Sequence, residues 1–81
     1  MEKATIYNRL ATLRTDRGLS RKALAEDLGV NFQTIGYIER GDYHPSLELA
    51  LQISRYFGLP VEAIFSLEPL KPLHEYLQDN S

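Results

Sequence analysis

From Tyr7 to Arg17 the apolar residues Leu10 and Leu13, with Ile6 behind them, recur at the spacing that lines one face of a helix, and Gly18 supplies a stop. Ser20 then begins a second helix. Its hydroxyl can accept from a free backbone N–H of the first turn, while Leu19 packs on Leu24 as a hydrophobic staple. Asn31 repeats the device between Val30 and Ile35. Gly29 fits the intervening helix end, where a positive φ is commonly required and glycine adopts it without a steric penalty. The pattern predicts helices from Arg21 to Leu28 and from Phe32 to Arg40, the latter ended by Gly41, with a three-residue turn between them. Leu24, Ala25, Leu28, Ile35 and Ile38 are the inward positions. Two short helices joined this tightly read as a helix-turn-helix, whose second helix can enter a DNA major groove.

On either side the pattern is less uniform. Ala4-Thr5-Ile6-Tyr7 reads equally as a short strand or an early helical turn. Asp42-Tyr43-His44-Pro45 is a loop, since the residue before proline is pushed out of the helical region. Ser46 caps a fourth helix in which Leu47, Ala50, Leu51, Ser54 and Phe57 form one stripe, and Gly58 closes it. Leu49, Ile53 and Tyr56 widen that face and predict burial on more than one side. Leu59-Pro60-Val61 opens a short fifth helix with Val61, Ile64 and Phe65 directed inward. After Ser66 come two prolines, Pro69 and Pro72, among Leu67, Leu70, Leu73, Tyr76 and Leu77, which is too apolar for an idle tail. The expected division is a DNA-binding domain over residues 1–66 and a dimerising extension over 67–81.

Composition narrows the chemistry. With 81 residues the chain makes one small core, and the absence of cysteine removes disulfides and thiolate zinc sites as sources of stability. No apolar run approaches the roughly 20 residues of a membrane span, so the expectation is a cytoplasmic protein without a membrane partner. The net charge of −2 argues at first against a nucleic-acid ligand. Its distribution reverses the argument: residues 1–45 hold seven Lys and Arg against six Asp and Glu, whereas residues 46–81 hold two against five. His44 and His74 have no third ligand in view, and neither a phosphate loop nor a nucleophile motif is present. No enzyme activity, cofactor, metal or small-molecule substrate is expected.

Leu13-Arg14, Gly18-Leu19-Ser20, Leu24-Ala25, Leu28-Gly29-Val30, Thr34-Ile35, Ile38-Glu39-Arg40-Gly41, Pro45-Ser46 and Phe57-Gly58-Leu59 together resemble the Cro/repressor-type helix-turn-helix family, also called the xenobiotic response element family. The resemblance spans residues 7–65. It implies an all-α, five-helix bundle with the helix-turn-helix at helices 2 and 3. It also implies a prokaryotic transcriptional regulator, usually dimeric, that binds operator DNA. Some small members add a short β-ribbon between the two ends, which is left open for this chain. The resemblance further implies a structural salt bridge between Arg14 of the first helix and Glu39 near the end of the third.

Only the leading turns of a helix in the groove reach base edges, which places Asn31, Phe32, Gln33, Gly36 and Tyr37 on the expected reading face. Gln33 is the strongest candidate, because an amide pairs with adenine N6 and N7 and discriminates by roughly 1–3 kcal/mol. Phe32 either meets a thymine methyl or packs within the protein or on a partner. Tyr37 either reaches the DNA or lies over Ala25 or Arg40. Asn31 is a cap first. Gly36 costs about 1 kcal/mol relative to alanine inside a helix, which suits a close approach to DNA. Arg21, Lys22, Thr34, Arg40, Tyr43 and His44 are the candidate phosphate contacts. The resemblance also puts Arg21 at a position that often reaches DNA.

A single recognition helix covers few base pairs, so a homodimer on a palindromic operator is expected, with Ile64, Phe65, Leu67 and Leu70 at its interface and Leu73, Tyr76 and Leu77 as further candidates; the alternative is a tail that folds back on its own core. A repressor is the first reading. An antitoxin whose apolar tail covers a toxin is the second.

Overall fold

Three side-chain caps set the helix starts. Ser20 Oγ accepts from the Ala23 N–H at 3.0 Å, Asn31 Oδ1 from the Gln33 N–H at 2.8 Å, and Ser46 Oγ from the Leu49 N–H at 3.1 Å. Each bond satisfies a donor that the first helical turn leaves unpaired. The computed structural model describes residues 5–77. Over these residues the elements are β1 (Tyr7–Asn8), α1 (Leu10–Asp16), α2 (Arg21–Leu28), α3 (Phe32–Arg40), α4 (Leu47–Phe57), α5 (Val61–Ile64), β2 (Phe65–Ser66) and α6 (His74–Leu77). Gly29 ends α2 at φ 73° and Gly41 ends α3 at φ 80°. This left-handed geometry lets their N–H groups turn back to the last carbonyls of each helix.

Helices α1 to α5 close around one core, in which Leu10, Leu24, Ile35, Ile38, Ile53 and Ile64 are fully buried. Each such side chain contributes about 1.5–3 kcal/mol by leaving water. Leu19, Leu28, Val30, Tyr56, Leu59 and Phe65 pack around them. Tyr56 also donates its hydroxyl to Asp27 Oδ2 at 2.6 Å, a bond that ties α4 to α2 and, with burial adding to it, pushes the phenol pKa up.

The fold is the expected all-α bundle with the small ribbon added. β1 and β2 pair antiparallel, Tyr7 opposite Ser66 and Asn8 opposite Phe65, and the Arg9 N–H extends the pairing to the Ile64 carbonyl at 3.0 Å. Asn8 anchors the ribbon twice. Its Oδ1 accepts from the Leu10 N–H and its Nδ2 donates to the Ile38 carbonyl, both at 3.0 Å.

Several expectations need correction. The first helix begins at Leu10 rather than Tyr7, because the ribbon holds Tyr7 and Asn8 extended and Arg9 is the N-cap, with Asn8 Oδ1 accepting from the Leu10 N–H. On α4 the stripe runs through Leu49, Ala50, Ile53 and Phe57, whereas Leu47 is 74% exposed and Leu51 also faces solvent. Ile64 lies in the protomer core and is not available to a partner. The segment after Ser66, which carried no assigned element, forms α6. Ala4 and residues 78–81 lie outside the described residues.

The segment carrying α6 folds back on the start of the chain. Arg9 donates from Nη2 to the Lys71 carbonyl and places its guanidinium 5.4 Å from the centre of the Tyr76 ring, while the Lys71 N–H donates to the Tyr76 hydroxyl oxygen at 3.0 Å. Among the described residues no helix is long and apolar enough to cross a membrane, and no group of His, Cys, Asp and Glu is placed to hold a metal.

Candidate nucleic-acid interface

The turn between Gly29 and Asn31 sets α3 across α2 with its inner side on Ile35 and Ile38. Its outer side carries Phe32, 53% exposed, Tyr37, 45% exposed, and the exposed Gln33. Asn31 is exposed as well, with its side chain engaged in the cap. Gly36 does not belong to this outer face. It is buried, because Arg21 reaches over it from α2 and Arg40 reaches back along α3. These six residues, Arg21, Phe32, Gln33, Gly36, Tyr37 and Arg40, line a shallow groove of about 220 Å³.

Glu39 organises the charges beneath the groove. Arg14 donates from Nε to Glu39 Oε2 at 2.6 Å and from Nη2 to Oε1 at 3.4 Å, and its Nη1 holds the Leu19 carbonyl at 2.8 Å. Arg21 donates from Nε to Glu39 Oε1 at 2.9 Å. The Glu39 side chain is only 4% exposed. Burial opposes its ionisation, but the hydrogen bonds and charges of Arg14 and Arg21 together outweigh burial and hold the carboxyl below the usual carboxylate range. Arg14 is thereby committed to the fold, joining α1 to α3. The Arg21 link had no signal in the sequence, because it needs the approach of α2 to α3.

At the far end of α3, Arg40 donates from Nε to Asp42 Oδ2 at 3.1 Å and lies 5.3 Å from the centre of the Tyr37 ring. Tyr37 therefore lies against Arg40 as well as facing solvent. Asp42, which sequence reasoning passed over, is a loop residue whose role appears only once Gly41 has turned the chain. A broader concavity of about 650 Å³ brings Arg40, Tyr43 and His44 together with Thr5 and Ile6. The candidate phosphate contacts thus form two groups: Arg21 and Lys22 at the start of α2, and Arg40, Tyr43 and His44 at and just beyond the end of α3. Thr34 is half-buried on α3.

Of the residues expected at a dimer interface, Leu67 is exposed, Leu70 is half-buried and Phe65 packs on the core. Leu77 of α6 and Tyr7 of β1 are further exposed apolar side chains at this end of the molecule.

The residues that build this arrangement also carry the similarity to known proteins. The family model described as helix-turn-helix matches residues 10–64. The HTH-type transcriptional regulator YgzD of Bacillus subtilis is 46% identical over 61 residues, covering 75% of this chain and 92% of that one. The HTH-type transcriptional activator BcrR of Enterococcus faecalis is 34% identical over 67 residues, 83% of this chain and 33% of that one. The cryptic phage CTXphi transcriptional repressor RstR of Vibrio cholerae is 27% identical over 59 residues, 73% of this chain and 53% of that one. The chain belongs to the helix-turn-helix family of DNA-binding transcriptional regulators.

Proposed function

We propose that the chain recognises a specific double-stranded DNA sequence as a homodimer on a palindromic operator and acts there as a repressor. The observation that carries this reading is the outer face of α3, where Phe32, Gln33 and Tyr37 face solvent while the fold rests on the opposite side of the same helix. Gln33 pairs with adenine, Phe32 meets a thymine methyl, and Lys22, Arg40, Tyr43 and His44 hold phosphates on either flank. Thr34, half-buried on α3, is a further phosphate candidate on the recognition helix itself. A second protomer, placed through the exposed Leu67 and its surroundings, sets a second α3 roughly 34 Å away or a multiple of it, the spacing of successive major grooves on one DNA face.

Repression requires nothing beyond occupancy of the operator. The relative named as a repressor is matched over 53% of its length, whereas the relative named as an activator has most of its length outside the match. Replacing Gln33 by alanine tests base reading. Binding to the operator selected from random DNA is expected to weaken by roughly 5- to 150-fold, with salt-dependent binding to random DNA nearly unchanged. Equal losses on both DNAs would defeat the assignment.

A further inference from the structure

We propose that Arg21 is a specificity-determining residue that reads a guanine, rather than one of the phosphate anchors; this rests on the DNA-binding reading above. Three observations carry it.

The first is location. A Cβ added at Gly36 would sit 3.7 Å from Arg21 Cδ and 3.8 Å from Arg21 Nε. Although it starts on α2, the side chain therefore lies over the middle of α3, one turn beyond Gln33, in the groove it shares with Phe32 and Tyr37. Phosphates run along the rims of a major groove, and base edges form its floor. The place of Arg21 over Gly36 is in ordinary packing contact with α3, so the side chain is laid along the helix rather than extended toward a rim.

The second is charge. Glu39 accepts from Arg21 Nε at 2.9 Å. A carboxylate so close, although shared with Arg14, offsets part of the attraction that the guanidinium would exert on a phosphate. Neutral acceptors on a base lose far less. Lys22, exposed on the same turn and without a partner among the described residues, is the better phosphate ligand.

The third is the donor set left over. Glu39 engages Nε, and among the described residues neither Nη group of Arg21 makes a hydrogen bond, while the side chain is 50% exposed. The outer edge therefore presents two parallel N–H donors in a plane that Glu39 fixes. Guanine alone offers two adjacent acceptors, O6 and N7, on its major-groove edge. Adenine replaces one of them with the N6 donor. Arg21 and Gln33 would then read neighbouring positions of one half-site, a guanine and an adenine.

The test is selection of bound sites from random duplex DNA by the full chain and by its Arg21→Lys and Arg21→Ala variants, followed by titration of the recovered site at several salt concentrations. Arg21 is half-exposed, and the unchanged melting temperature of the lysine variant serves as the folding check. The expected result is a G·C pair in each half-site of the parent that the alanine variant ceases to select and the lysine variant selects less strongly, with the alanine variant's affinity for that site reduced roughly 5- to 150-fold and the other positions retained. If both variants recover the parent motif and the alanine variant loses affinity evenly on all sequences, with the logarithmic salt slope shallower by about 1, Arg21 is a phosphate contact and the proposal falls while DNA recognition stands. Full retention of the guanine by the alanine variant would also overturn it, since no donor at position 21 would then be reading it. A parent that enriches no sequence overturns both readings.

Discussion

The unit from Ser20 to Gly41 and the segment from Leu67 to Leu77 are held in place by different means. In the first, two side-chain caps, two left-handed glycines and the fully buried Leu24, Ile35 and Ile38 converge, and Glu39 ties the end of α3 to α1 and α2. In the second, α6 buries no residue completely, and the segment is tethered to Arg9 by one carbonyl and one ring. The contrast has a functional consequence. Because the helix-turn-helix is fixed from its inner side, Phe32, Gln33 and Tyr37 carry little of its stability and can be matched to a DNA sequence. The tail leaves apolar side chains unused by the core, so it suits a contact between protomers.

The sharpest way to break this comparison is to remove the carboxylate beneath the reading face. Glu39→Ala leaves the Arg14 guanidinium, only 12% exposed, without its ionic partner, and a stranded buried charge costs about 3–5 kcal/mol. Urea denaturation should show a loss of that size. A loss below 1 kcal/mol would mean that the Leu19 carbonyl and solvent satisfy Arg14 on their own.

Acid titration weakens the same contact by a gentler route. The folded Glu39 carboxyl is held below the ordinary glutamate value by Arg14 and Arg21, so between the two values the unfolded chain binds more protons than the folded one. The stabilisation is complete above the unfolded value and is lost as pH falls through the folded one. Stability measured from pH 6 downward should therefore decline, with part of the decline absent in Glu39→Gln. Identical pH profiles for the two proteins would remove Glu39 as the source.

The same contrast separates what the residue pattern reveals from what it hides. Ser20, Asn31, Ser46, Gly29 and Gly41 act within a turn of their own position, so the boundaries of α2, α3 and α4 were legible from local chemistry. Tyr7 reads both as strand and as helix, the latter because Ile6, Leu10 and Leu13 share a period. Its strand depends on Ser66, far along the chain, and no local signal records that pairing. On α4, Leu47 and Leu51 are as apolar as Leu49 and Ile53, and only the placement of the other helices decides which pair turns inward. Ile64 reads both as an inward position of α5 and as part of a dimer surface, and only the packed fold decides for the core. At the site, Phe32, Gln33 and Tyr37 were legible as the outer side of an amphipathic helix. The coverage of Gly36 by two arginines was not, since one of them arrives from another helix.

A smaller effect, opposite in sign, is expected at Gly36. Its backbone is helical, so alanine removes the entropic cost of glycine and should raise stability by about 0.5–1 kcal/mol. The new Cβ would lie 3.2 Å from Arg40 Nη1, the end of a flexible, half-exposed side chain that can move aside. Gly36→Ala should therefore melt at a higher temperature yet bind its operator more weakly, because Arg40 is displaced from the groove. A variant that is less stable would show that Arg40 cannot yield.

The smallest effect on stability is expected in the tail. Leu67 is 69% exposed and Leu77 51%, so replacing both by aspartate removes little buried surface and should change the stability of the protomer by no more than about 0.5 kcal/mol per site. The proposed dimer responds differently. An aspartate on each of two apolar positions must be desolvated when protomers meet, and in a twofold contact every substitution occurs twice. Sedimentation should report monomers for the double variant at concentrations where the parent is dimeric, and binding to one half-site should survive while binding to the full palindrome weakens. Leu70, already half-buried within the protomer, is the less informative position, since a charge there would disturb the fold of the tail as well. If the double variant remains dimeric, the protomers meet elsewhere, and the outward-facing Leu47 and Leu51 of α4 become the next exposed apolar pair to replace.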